Sequence, residues 1–195
     1  MKRKILDFEQ LTDNKWINLF WIKGENIKGK IVDWIFCSRK KNPMEDTSTD
    51  AVVIVPVIDT VDGKRLVMIK EYRWPINDFE YGFPAGLIED GLSIEETVSK
   101  ELKEETGLNL VRITRVSNPI YSSPGFTDES CVIVFVEVDG NISAEYQEAT
   151  EEIEVLVVNV DEMTQMLEDP SKKIGAKAWG ILYYYSQLNY YSKLE

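Results

Sequence analysis

An apolar hairpin occupies the centre of the sequence. Residues 51–58 are almost entirely aliphatic, Asp62 and Gly63 form a typical tight-turn pair, and residues 65–72 return as a second strand with an apolar centre. A continuous apolar run bounded by turn residues predicts a buried strand, and the turn pair predicts that the two strands are antiparallel neighbours. A strand-rich domain is therefore expected to begin near residue 50.

The residues after the hairpin alternate between helix and strand patterns. Ser93, followed three residues later by Glu96, has the form of a capping box, and Gly107 is a natural helix terminator, so a helix of about four turns is predicted between them. Strands are predicted over 111–116, 131–138 and 153–160, then a short helix over 161–168 and a longer one from about residue 174. The pattern predicts an α+β fold in which helices pack against a sheet.

Residues 1–45 differ from the rest of the chain in their spaced aromatic side chains. Trp16, Phe20, Trp21, Trp34 and Phe36 lie between glycine and asparagine breaks, a pattern that predicts short antiparallel strands. The aperiodic stretch 42–49 is typical of a linker, so we divide the chain into an N-terminal β subdomain (1–45) and a second domain (46–195). Strands this short are marginally stable alone, and we expect them to pair with a second copy of the chain.

Charge and composition exclude several classes of function. The 195 residues carry 22 basic and 34 acidic side chains, and the net charge of −12 repels nucleic acid and anionic lipid surfaces. The absence of histidine removes every mechanism that uses imidazole and leaves carboxylates, lysine or a hard metal ion. Cys37 and Cys131 are not spaced as a zinc or redox pair, and no apolar run approaches the roughly 18 residues of a membrane span, so a cytoplasmic protein is expected.

The predicted helix after Ser93 carries three carboxylates on one face. Glu101 lies three and four residues before Glu104 and Glu105, a spacing that places Cβ atoms roughly 5–6 Å apart. Crowded carboxylates are relieved by lysine neighbours, solvent or a divalent cation, and their oxygens suit Mg²⁺ or Mn²⁺. A solvated acidic face is the alternative. The glycine-bearing loop 83–91 before the helix favours a metal and diphosphate site instead.

The segment from Gly86 to Leu108 resembles the Nudix box, G-x5-E-x7-R-E-u-x-E-E-x-G-u, where u is aliphatic. Gly86 takes the first glycine, residues 101–105 take E-u-x-E-E, and residues 107–108 close the pattern. Leu92 stands where the box has Glu, and Lys100 stands where it has Arg. Those two side chains are expected to pair and brace the loop against the helix in the family. The resemblance implies a Nudix α/β/α sandwich with a mixed sheet.

Beyond the box the chain is similar to the ADP-ribose pyrophosphatase branch of that family. Residues 83–88 resemble the loop of the branch, and Pro124 follows Leu108 by the marker spacing of 16 residues. Residues 71–75 resemble the Q-Y/F-R-P-P exit of a strand in the branch. Gly82 stands where the branch usually has a glutamate that helps to hold substrate, and Glu80 is the alternative through a register shift.

The resemblance implies hydrolysis of ADP-ribose to AMP and ribose 5-phosphate. Mg²⁺ or Mn²⁺ is expected on Glu101, Glu104, Glu105 and the Ala85 carbonyl, with Glu104 and Glu105 in the catalytic centre. Glu151 is expected to be the base, and Glu148 and Glu152 are alternatives. Substrate contacts are implied for Trp16, Trp34, Arg39, Arg73 and Pro124. In relatives the N-terminal segment contributes to an intertwined homodimer, so Trp16 is expected to serve the neighbouring subunit.

Two alternatives stay open at this point. A Nudix enzyme could act on another substrate, such as a sugar nucleotide or NADH, and a protein of the same fold could bind a nucleotide without turnover. The presence of Glu101, Glu104 and Glu105 together favours an enzyme, because a pure binding module does not need three carboxylates crowded on one helix face.

Overall fold

The computed structural model describes residues 2–149 and 152–192, with side chains described as far as residue 187. Two compact units are present. The first is Met1–Asp50 with Pro119–Cys131, and the second is Ala51–Asn118 with Val132–Glu195. The first unit thus includes a segment that is distant in sequence from the aromatic N-terminal strands, and the predicted domain boundary after residue 45 stays a prediction.

The first unit contains an antiparallel sheet of three strands. These are β1 (Lys4–Gln10), β2 (Asn18–Glu25) and β3 (Ile31–Ser38), in the order β1-β2-β3. Phe20 and Phe36 are opposite each other in the β2–β3 register, and the ring of Phe8 also stacks on that of Phe20. This aromatic stack buries Phe20 almost completely and explains why the spaced aromatic residues form strands.

The second sheet is mixed and has nine strands within the described residues. In chain order they are β4 (Ala51–Thr60), β5 (Gly63–Arg73), β6 (Asp78–Gly82), β7 (Ala85–Leu87), β8 (Asn109–Val116), β9 (Ile120–Tyr121), β10 (Ser130–Asp139), β11 (Ile153–Val158) and β12 (Lys173–Ile174). The main order is β12-β6-β5-β4-β10-β8, while β11 pairs with β5, β7 with β4 and β9 with β10. The β12–β6 pair is parallel. The short strands β6, β7, β9 and β12 were not predicted.

Three helices cover the second sheet: α1 (Ile94–Thr106), α2 (Val160–Glu168) and α3 (Ala176–Ser192). Alternate residues of β4 enter two apolar clusters. Val52 and Ile54 pack with Val98 and Leu102 of α1, whereas Val55 packs with residues of α2 and α3, including Met163 and Leu182. The sheet is therefore covered on both faces, and the predicted α+β sandwich with an N-terminal antiparallel sheet is confirmed. No helix in the described part of the chain is long and apolar enough to cross a membrane.

Helix α1 begins and ends where the sequence predicts. The Ser93 hydroxyl accepts from the Glu96 amide at 3.2 Å, and the Glu96 carboxylate accepts from the Ser93 amide at 2.8 Å. Gly107 ends the helix with a φ of +77°, and its amide donates to the Lys103 carbonyl at 3.0 Å. The reciprocal cap and the left-handed glycine fix both ends of the segment that carries the three carboxylates.

Candidate active site

Strand β7 brings bare backbone against the carboxylate-bearing face of α1. Ala85 and Gly86 pair with Val53 and Val52 of β4. A Cβ atom added to Gly86 would collide with the Cγ atom and the carboxylate of Glu101. Gly86 does not have a positive φ, so glycine is needed there for space rather than for conformation. The Glu101 carboxylate therefore lies directly against the Gly86 backbone.

Glu105 is a buried carboxylate with a backbone partner. Glu105 is only 5% exposed, and its Oε2 atom accepts a hydrogen bond from the Ala85 amide at 3.1 Å. A buried charge is costly unless hydrogen bonds replace its hydration. The structure thus brings Ala85, Glu101 and Glu105 together between β7 and α1, as the sequence predicts, while their role as metal ligands stays a prediction.

Lys100 of α1 lies between Glu89 of the preceding loop and Glu104 of the same helix. Its Nζ atom lies 2.6 Å from the Glu89 carboxylate and 3.6 Å from that of Glu104. The hydrogen bond to Glu89, followed by the charges of Glu104 and Glu101, raises the pKa of the Lys100 ammonium group. A brace between loop and helix is therefore present even though Leu92 and Lys100 depart from the box. The sequence comparison missed Glu89 because it considers aligned positions only, and Glu89 lies three residues before the position of the missing acid.

The chemistry of the donor set suits a hard cation, because carboxylate and carbonyl oxygens are the ligands of Mg²⁺ and Mn²⁺. Within the described residues, no group of three or more acidic, cysteine or histidine side chains is placed so that it could hold a metal ion. In the structure, Glu104 faces Lys100 and Glu105 faces the Ala85 amide. The residues fit such an ion in number and chemistry.

The acidic segment before β11 is joined to α1 by Gln147. Its side-chain Nε2 donates to the Glu105 carbonyl at 3.0 Å and to the Ile153 carbonyl at 3.3 Å. Glu151, the predicted base, lies outside the described residues, whereas Glu148 and Glu152 are described and exposed. The sequence reasoning did not single out Gln147, because a bond from a side chain to a distant carbonyl leaves no pattern in the sequence.

Arg73, at the end of β5, is held by two carboxylates. Its Nη1 atom lies 2.7 Å from Glu71 and its Nε atom lies 3.1 Å from Glu80. The β5–β6 register runs without a shift, with Glu71 opposite Glu80 and Ile69 opposite Gly82. Glu80 is therefore on the same face of β6 as Gly82 but two pairs away, and its role in place of the missing glutamate stays a prediction.

In the first unit, Trp34 and Pro124 line the same cavity. This cavity has a volume of about 280 Å³, and most of its other lining is apolar, from Ile22, Phe36, Met44 and Tyr121. The indole Nε1 of Trp34 donates to the Gly125 carbonyl at 3.2 Å, which fixes the ring beside the residue that follows Pro124. Two of the predicted substrate-binding residues are thus adjacent, although they are 90 positions apart in the sequence.

The other two predicted binding residues of the first unit are on its surface. Trp16 lies in the β1–β2 connection, is 69% exposed, and has the Lys15 ammonium 4.1 Å above its ring. The Nε atom of Arg39 lies 3.5 Å from the Glu129 carboxylate. Their roles in substrate binding stay predictions, as do those of Trp34, Arg73 and Pro124.

Comparisons with known proteins identify similar sequences. The model of the NUDIX domain matches residues 47–178. A Caenorhabditis elegans protein described as a nudix hydrolase is 31% identical over 160 residues, which cover 80% of this chain and 71% of that protein. The ADP-ribose pyrophosphatase of Bacillus subtilis is 29% identical over 167 residues, which cover 83% of this chain and 89% of the relative.

A solved structure has the same fold. The crystal structure of an ADP compounds hydrolase superposes with a TM-score of 0.73 and covers 94% of this chain and 91% of that chain. The sequences of the two proteins are 24% identical, so this match concerns the fold alone.

Proposed function

Because the chain belongs to the Nudix family of pyrophosphohydrolases, we propose that it hydrolyses the diphosphate link of a nucleoside diphosphate derivative, with ADP-ribose cleaved to AMP and ribose 5-phosphate as its main reaction. The observation that carries this proposal is the contact of buried Glu105 with the Ala85 amide, beside the Glu101 carboxylate on Gly86. The relation to the Bacillus subtilis ADP-ribose pyrophosphatase, over 83% of this chain, supports ADP-ribose as the substrate.

In this proposal, α1 and β7 supply the ligands of the metal. Glu101, Glu104, Glu105 and the Ala85 carbonyl would hold one to three Mg²⁺ or Mn²⁺ ions, which neutralise a diphosphate and lower the pKa of bound water. Helix α1 holds the three carboxylates on adjacent turns, and the Ala85 amide donates a hydrogen bond to the buried Glu105 carboxylate. The Lys100 ammonium lies 3.6 Å from the Glu104 carboxylate and balances part of its charge.

A carboxylate of the segment before β11 would accept the proton of the attacking water. Glu151 is our first choice for this base, and Glu148 and Glu152 are the alternatives. General-base catalysis of this kind contributes about 10²- to 10⁴-fold to a rate. The chain contains no histidine that could take this role.

The remaining predicted residues would bind the substrate. The base would stack on Trp34 in the Trp34–Pro124 cavity, and stacking on an aromatic side chain is worth about 1–3 kcal/mol per base. Arg73 and Arg39 would bind phosphate oxygens. A guanidinium group has five donors, so the contacts of Arg73 with Glu71 and Glu80 leave further donors for a phosphate.

We also propose a homodimer formed through the N-terminal sheet. One face of this sheet carries exposed apolar side chains: Ile31 is 51% exposed, Ile35 is 57% exposed, and Leu19 lies on the same face. Apolar side chains grouped on one sheet face are typical of interaction surfaces. Light scattering should give about twice the chain mass of 22.5 kDa, and Ile35→Asp should lower the measured mass. A monomeric wild-type protein would contradict the dimer.

A cytoplasmic location stays a prediction of the sequence.

The experiment that tests the enzyme is release of AMP from ADP-ribose with Mg²⁺, compared with an EDTA sample, Glu105→Gln and Glu95→Gln. Glu95 is exposed in the first turn of the same helix and removes one charge in the same way. We expect Glu105→Gln and EDTA each to lower turnover by about 100-fold or more, and Glu95→Gln to stay within about two-fold. ADP-ribose that binds without turnover would contradict the enzyme. Faster turnover of an ADP-sugar or NADH would contradict ADP-ribose as the main substrate.

A further inference from the structure

Gln147 connects the end of α1 to the start of β11. Its amide nitrogen donates to two backbone carbonyls, that of Glu105 at 3.0 Å and that of Ile153 at 3.3 Å. The last four carbonyls of an α-helix have no partner within the helix, and the Glu105 carbonyl is one of them. Gln147 therefore satisfies an acceptor at the end of α1 and also bonds to Ile153, the first residue of β11.

The residues just before Gln147 contact the same helix end. The Ser143 amide donates to the Thr106 carbonyl at 3.0 Å. A Cβ atom added to Gly107 would lie 2.6 Å from the Ser143 nitrogen, so the backbones are in close contact at this point. The Lys103 ammonium lies 4.9 Å from the centre of the Tyr146 ring. Residues 143–147 thus form a C-terminal cap on α1 that is made from another part of the chain.

Glu105 is fixed at both ends by these contacts. Its carboxylate accepts from the Ala85 amide of β7, and its carbonyl accepts from Gln147. The chain that follows Gln147 is acidic, with Glu148 and Glu152 exposed, and the Tyr72 amide of β5 donates to the Glu152 carbonyl at 3.3 Å. Gln147 is therefore the side chain that links a predicted metal ligand to the acidic residues expected to include the base.

We propose that Gln147 is a positioning residue for the hydrolysis, which holds Glu105 and the neighbouring acidic residues in a fixed relation without contacting the substrate. The inference rests on the proposed function. Its chemistry explains the residue type: one amide nitrogen carries two protons and can donate to two carbonyls, whereas an ionised glutamate or an apolar side chain has no donor for either carbonyl. Asparagine keeps the amide but is one methylene shorter and reaches one carbonyl at most.

The test compares Gln147→Met and Gln147→Asn with Glu145→Gln as the control. The Met variant has a similar length without donors. Glu145 is exposed in the same cap, and its backbone amide donates to the Ser143 hydroxyl. We expect Gln147→Met to lower kcat by about 10- to 100-fold with KM within about two-fold, since small displacements of catalytic groups are costly. Gln147→Asn should be intermediate, and Glu145→Gln should match the wild type.

Two further readouts do not depend on turnover. Mn²⁺ titration without substrate should show weaker binding by about three- to ten-fold in Gln147→Met, and amide hydrogen exchange should speed up in residues 143–149 but not in β4. A wild type without turnover would refute the proposed function, while these readouts would still test Gln147. Unchanged kcat, Mn²⁺ affinity and exchange in a folded Gln147→Met protein would overturn the inference, and so would a rise of KM at constant kcat. If the Met variant does not fold, the Asn variant carries the same comparison.

Discussion

The carboxylate-bearing part of the second unit and the aromatic cavity of the first unit are built in opposite ways. In the second unit, Glu105 is buried and bonded through both its carboxylate and its carbonyl. In the first unit, Trp34 is 53% exposed and its ring is fixed by a single hydrogen bond to the Gly125 carbonyl. One region holds its charged groups rigidly by polar contacts, and the other presents ring faces to solvent.

This difference separates two kinds of function. A group that takes part in charge transfer must be placed within a fraction of an ångström, and bonds at several of its atoms achieve that placement. A base that stacks on an indole tolerates small shifts, because the contact is spread over a face. Substitutions near α1 should therefore reduce kcat, whereas substitutions in the Trp34–Pro124 cavity should raise KM.

The largest effect is expected from Gly86→Ala. The added Cβ would displace the Glu101 carboxylate, while the backbone of β7 can accept alanine, so we expect kcat to fall by about 100-fold with little loss of thermal stability. Gly82→Ala is the matched control, because nothing lies within 4 Å of its added Cβ. Steady-state kinetics measure kcat of both variants, and melting curves measure their thermal stability. Equal kcat values in the two variants would show that the position of Glu101 is not critical.

A smaller effect, of the other kind, is expected from Trp34→Ala. Loss of a stacking face worth about 1–3 kcal/mol should raise KM for ADP-ribose by about 5- to 150-fold and leave kcat within about three-fold. Trp34→Phe keeps a ring and should recover most of the affinity. Trp179→Ala removes an exposed indole of the second unit and serves as the control. A fall of kcat at constant KM in Trp34→Ala would contradict the prediction that the cavity affects KM and the α1 region affects kcat.

The smallest effect is expected from Glu89→Gln. This change removes the shorter of the two Lys100 contacts, and exposed ion pairs contribute about 0.2–1 kcal/mol. The Mg²⁺ concentration for half-maximal rate should therefore rise by about 1.5- to 5-fold. Glu95→Gln again provides a change of equal charge on a residue that is not in this brace. Identical dependence of the rate on Mg²⁺ concentration in the two variants would contradict a role of the Glu89–Lys100 contact in this dependence.

The parts of the fold that depend on neighbouring residues could be predicted from the sequence. The capping box at Ser93, the stop at Gly107 and the β4–β5 turn involve contacts within a few positions, and the structure contains all three. Strands β7 and β12 have three and two residues, too few for a periodic pattern. They exist because longer strands offer them hydrogen bonds, which is information that a local pattern does not contain.

The candidate site divides along the same line. Ala85, Glu101 and Glu105 were identified because the resemblance fixes their spacing, and the structure brings them together. Glu89 and Gln147 were missed because each acts across the fold on a partner 11 or 42 positions away. A side chain that positions a site residue can come from many places in the sequence. No single sequence spacing therefore predicts it.

The position of Lys100 has a consequence for how the protein folds without the proposed metal ion. In small zinc modules the free energy of metal binding is the free energy of folding, and the apo chain is unfolded. Here a lysine of the same helix lies between Glu89 and Glu104 and acts as a built-in counter-ion. We therefore expect synthesis and folding to proceed when divalent cations are scarce, so that supply of the ion regulates activity and leaves the amount of folded protein unchanged.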